Sequence, residues 1–99
     1  MSAVLEWYST FLRNAVVKKR IDNSFVDRLK EFEKSLDRQL SFAAGQVATF
    51  EKEYNKRKHS TTDVSTLVRF YRQKMKEYKR EVKYLEKFVK IREEIKASL

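Results

Sequence analysis

Apolar residues recur along this chain at helical spacing in three stretches, parted by two short polar joints. In the first, about residues 3–19, Val4, Leu5, Trp7, Tyr8, Phe11, Leu12, Ala15 and Val16 share one side, and Ser9, Thr10, Arg13 and Asn14 share the other. At ~100° per residue that stripe covers about half the helix, wide enough for two neighbours. The second stretch, 24–56, carries Phe25, Leu29, Phe32, Leu36, Leu40, Ala43, Val47, Phe50 and Tyr54 in one row. The mean step of that row is about 3.6 residues, the value of a relaxed helix, so it can stay straight.

The third stretch, 63–98, carries Val64, Val68, Tyr71, Met75, Tyr78, Val82, Leu85 and Val89 in alternating steps of four and three. From Tyr84 onward a second row joins it: Tyr84, Phe88, Ile91, Ile95 and Leu99. Earlier in the helix only Leu67 and Phe70 widen the stripe. The C-terminal half therefore has an arc to bury that one facing helix cannot cover.

These widths predict an all-α fold, a three-helix bundle forming a single domain over residues 1–99. Helices 2 and 3 form a long antiparallel, coiled-coil-like hairpin, because a short joint links them. Helix 1, half as long, lies beside the start of helix 2 and the end of helix 3. Trp7 is expected as a core anchor. Ser24 with Asp27 has capping-box spacing ahead of helix 2, and Asp22 and Asn23 compete for the cap. Zero Pro and a single Gly in 99 residues reinforce the helical reading, since tight turns and hairpins need both.

Composition narrows the chemistry. The chain has no Cys and one His, so disulfides, thiol catalysis and cysteine-bound zinc are excluded, and no cofactor is implied. There is no Gly-rich phosphate loop and no nucleophile–base motif. Glu93 and Glu94 are adjacent and so point to different helix faces. A non-enzymatic role without a small-molecule substrate is the expectation. His59 follows Lys56-Arg57-Lys58 in the second joint and reads as exposed and inert. The longest charge-free stretch, Gln39 to Phe50, is too short and too polar to span a bilayer, and the N-terminus lacks the basic start of a secretory signal. A cytoplasmic or nuclear protein is expected.

Two features suggest partners. The charge-free stretch lies in a chain that is 37% charged. Its outer side should meet water, yet it presents Ser41, Ala44, Gly45, Ala48 and Thr49, flanked by Phe42. Small residues recur there at i and i+4, which would let another backbone approach closely. This face is the candidate protein-interaction site, for a second copy or a helical partner. The alternative is a helix kinked or weakened at Gly45, or a bland surface.

The second feature is charge. Lys and Arg outnumber Asp and Glu by 23 to 14, and residues 64–99 alone carry eleven bases against five acids. Arg69, Arg72, Lys76, Lys79, Arg80, Lys83, Lys87 and Lys90 fall within about 100° of the helix 3 wheel. With Lys56, Arg57 and Lys58 they form the candidate anion-binding surface. Nucleic acid, an anionic membrane and an acidic protein all fit such a strip. The interleaved aromatics, Tyr71, Tyr78, Tyr84 and Phe88, lie in the apolar rows and read as core, not as stacking platforms.

Overall fold

The computed structural model describes residues 2–59 and 65–99. These form three helices, α1 (Ala3–Val17), α2 (Asn23–Arg57) and α3 (Ser65–Ala97), with no strand among the described residues. The expected bundle is present, with α1 packed on the α2–α3 pair. The expected start of helix 3 near residue 63, and Val64 in its row, lie outside the described residues. The chain divides into two compact units, residues 1–39 with 84–99, and residues 40–83.

The first unit holds nearly all the core. Leu5, Leu12 and Ala15 of α1 are buried with Phe25, Leu29, Phe32 and Leu36 of α2 and with Leu85, Phe88, Ile91 and Ile95 of α3. Phe32 meets Phe88 edge-on, ring centroids 6.3 Å apart. Each such ring or Leu contributes roughly 1.5–3 kcal/mol by leaving water. The helices run antiparallel: Asp37 pairs with Arg92, and Glu33, one turn earlier, pairs with Lys96, one turn later.

The ends of α1 show how it is held. Ser2 caps it, accepting a hydrogen bond from the Leu5 N–H at 3.2 Å. The same hydroxyl oxygen accepts from Gln39 Nε2 (3.1 Å), and the Ser2 N–H donates to the Tyr84 hydroxyl (3.1 Å). One capping residue thus ties α1 to both other helices.

At its C-terminus the helix stops at Val17, two residues before the expected boundary. Lys19 there adopts a left-handed φ of 58°. The Lys19 N–H bonds to the Val16 carbonyl and the Arg20 N–H to the Ala15 carbonyl, the double closure of a Schellman turn. Of the three competing caps for α2, Asp22 is used, its Oδ1 accepting from the Phe25 N–H at 3.0 Å.

Three side chains depart from the sequence expectation. Trp7 is 53% exposed and is not a core anchor. The helix buries the arc centred on Leu5, Ser9 and Leu12, about 165° from Trp7 on the wheel. Trp7 instead stacks on Phe11 at 5.6 Å, with the Arg28 guanidinium 5.5 Å from its ring centre. Ser9, expected on the polar side, is buried, its hydroxyl donating to the Glu6 carbonyl at 2.9 Å. Leu99, expected in the second apolar row, lies beyond the end of α3 and is exposed.

In the second unit the two helix segments pair alone. Phe50 is stacked on Tyr78 (5.8 Å) and also meets Phe70 and Tyr71, while Phe42 meets Tyr78 edge-on at 6.1 Å. Among the described residues of this unit, Ala43 is the only hydrophobic one that is fully buried. Leu40, Val47, Phe50, Tyr54, Val68, Tyr71, Met75, Tyr78 and Val82 are half-buried. The row continues as the sequence predicts, but its burial does not.

Candidate interaction surface

Both sequence-predicted faces fall largely within residues 40–83. Ser41, Phe42, Ala44, Gly45, Ala48 and Thr49 are all exposed on α2. The helix is continuous from Asn23 to Arg57, and Gly45 has no positive φ. A Cβ built on Gly45 would meet nothing within 4 Å. The Thr49 hydroxyl donates to the Gly45 carbonyl at 2.9 Å, satisfying itself within the helix. The face is smooth, uncharged and bordered by a ring: Phe42 is 60% exposed.

On α3 of this unit, Leu67 and Phe70 are also exposed, at 36% and 48%. Lys74 Nζ lies 5.8 Å from the Phe70 ring centre and pairs with Glu77 at 3.3 Å. The Glu77 carboxyl is held below its ordinary pKa by hydrogen bonds from Gln73 and Lys74.

The predicted cation row divides. Arg69, Arg72, Lys76, Lys79, Arg80 and Lys83 belong to the second unit and all are exposed; Arg80 interacts electrostatically with Glu77, and the other five form no ion pair among the described residues. Lys87 and Lys90 belong to the first unit. Lys87 is engaged: its Nζ lies 2.6 Å from Glu6 Oε1, and 4.6 and 4.9 Å from the ring centres of Tyr84 and Phe88. This hydrogen bond is the main reason the Glu6 carboxyl is held below its ordinary pKa; burial opposes it, and a bond from the Tyr84 hydroxyl adds to it.

The three cations at the end of α2 are also occupied locally. Arg57 and Lys56 both pair with Glu53, lowering its pKa chiefly through the Arg57 hydrogen bond. Arg57 also sits over Tyr71 (5.3 Å) and Lys58 over Tyr54 (6.0 Å). His59 is exposed. Of the eleven predicted anion-binding residues, Arg69, Arg72, Lys76, Lys79, Lys83 and Lys90 form no ion pair among the described residues, and the first five share the second unit with Arg80.

Among the described residues, no group of three or more Asp, Glu or His side chains could hold a metal ion, and no helix is long and apolar enough to cross a membrane. No family model, curated protein or solved structure matches this chain.

Proposed function

We propose that this protein is a non-enzymatic helical interaction module. The unit of residues 40–83 associates with a second copy or a helical protein partner through the uncharged face of α2, and presents the free cations of α3 to an anionic partner. A cytoplasmic or nuclear location belongs to the same reading.

One observation carries it. Residues 40–83 keep Phe42, Leu67 and Phe70 exposed and, among their described hydrophobic residues, fully bury only Ala43. Two paired helices have too little surface to cover such residues on their own, and apolar groups clustered at a surface mark association sites. The stretch Ser41–Thr49 adds a charge-free approach surface, as interface centres tend to have.

Sedimentation equilibrium over a wide concentration range tests this. The expected result is a mass that rises with concentration in the native chain, and a monomer of unchanged helicity in Ala44→Glu or Ala48→Glu. A monomer mass at every concentration would overturn self-association, leaving only a different protein as the partner of this face.

A further inference from the structure

We infer that the row Arg69, Arg72, Lys76, Lys79, Arg80 and Lys83 binds the sugar–phosphate backbone of a nucleic acid duplex without reading its sequence. This rests on the reading that α3 meets an anionic partner, and it names that partner's chemistry.

The first support is that the charge is available. All six side chains are exposed; Arg80 interacts electrostatically with Glu77, and the other five form no ion pair among the described residues, unlike Lys56, Arg57, Lys74 and Lys87. Between positions 40 and 83 the chain has eleven Lys and Arg against five Asp and Glu. A duplex is the polyanion whose binding draws most directly on such an excess, because each neutralised phosphate releases condensed counterions.

Spacing is the second support. Arg69 and Lys83 are 14 residues apart, about 21 Å along the helix axis. One strand of a duplex presents a phosphate every ~3.4 Å of axis, hence about six over that length. Each strand winds away from a straight helix over that length, so the row meets phosphates where it crosses the backbones, and about six contacts are its upper limit.

The third is what the row lacks. Protein interfaces centre on apolar and aromatic anchors and are depleted in Lys. A membrane-surface helix sinks an apolar face beside its cations. Here Tyr71 and Tyr78 of α3 pack on Phe50 of α2, and the exposed Phe70 lies ~130° from the centre of the row on the wheel, not beside it. The nearest amide, Gln73, donates to Glu77 at 3.3 Å. Backbone contacts position a protein on a duplex but carry no sequence information.

The test is fluorescence anisotropy with labelled ~20-base-pair DNA and RNA duplexes of arbitrary sequence, titrated with the full chain from 50 to 200 mM salt. Polyglutamate and phosphatidylserine-containing vesicles serve as the other polyanions. The expected result is binding at 50 mM that weakens steeply by 200 mM, up to the about 10³-fold that six phosphate contacts would give. The triple variant Arg72→Glu, Lys76→Glu, Lys83→Glu should lose more than 100-fold at 50 mM. An equal charge reversal on α2, Lys30→Glu, Lys34→Glu, Arg38→Glu, should lose less than tenfold, with circular dichroism unchanged in both.

Equal losses in the two variants would assign binding to net charge and overturn the row as the site. Binding of polyglutamate or vesicles through the row, without duplex binding, overturns the nucleic acid inference and leaves the anionic-partner reading standing. Failure of all three polyanions at 50 mM overturns both.

Discussion

Lys87 Nζ lies 2.6 Å from Glu6 Oε1, and this pair turns a cation that the helical wheel assigns to a partner into a fastening between α1 and α3. The consequence is a pH dependence. The Glu6 carboxyl is held below its ordinary value in the folded protein, first by the Lys87 hydrogen bond. Its stabilisation is therefore fully present above the unfolded value, about 4.3, and is lost as pH falls through the lower folded value. Glu6→Gln should lower the melting temperature at pH 7, and the difference should shrink as pH falls through the acid range. A difference that stays constant with pH would mean that the pair contributes no charge-dependent fastening.

Lys19 holds a left-handed backbone at a position where glycine carries no steric penalty. Lys19→Gly should stabilise the fold by about 0.5–1 kcal/mol, seen as a melting temperature raised by a few degrees. A lower melting temperature would place the strain elsewhere.

Gly45 separates the two uses of α2. With open space around its Cβ position, Gly45→Ala should raise the stability of the free chain by about 1 kcal/mol through helix propensity alone. If a partner backbone approaches this face, the same variant should associate more weakly. Denaturant melts of the dilute chain and sedimentation of the concentrated one read the two effects separately. Unchanged association in Gly45→Ala would remove close backbone approach from the interface.

The two units should respond differently to loss of a ring. Phe88→Ala empties a fully buried site and should cost about 3–5 kcal/mol, while Leu36→Asp buries an unpaired charge and should unfold the chain. Phe70→Ala, at a half-exposed site, should cost no more than about 1 kcal/mol. A Phe70 cost as large as that of Phe88 would mean the second unit carries its own core.

Much of the fold was legible because the rows are long. Phe25 to Tyr54 keeps one register through α2, and the added row at Phe88, Ile91 and Ile95 marked where α1 docks. Trp7 was misread because a stripe covering half a helix does not say which part of it is buried. The choice of Asp22 as cap was open because three capping residues stand in succession. The Lys87–Glu6 pair joins residues 81 apart, a distance at which helical spacing carries no information. For the candidate site, the charge of the α3 row was readable position by position. Which cations stay free was readable only in part: Glu53 and Glu77 stand three or four residues from their partners, but Glu6 reaches Lys87 from another helix.

Native-state hydrogen exchange of the dilute, free chain tests the central claim most directly, that residues 40–83 form the incompletely covered, partner-seeking unit. Amides in 25–36 and 85–95 should exchange only by global unfolding, and those in 42–56 and 66–82 markedly faster, by local opening. Uniform protection across both units would contradict the claim.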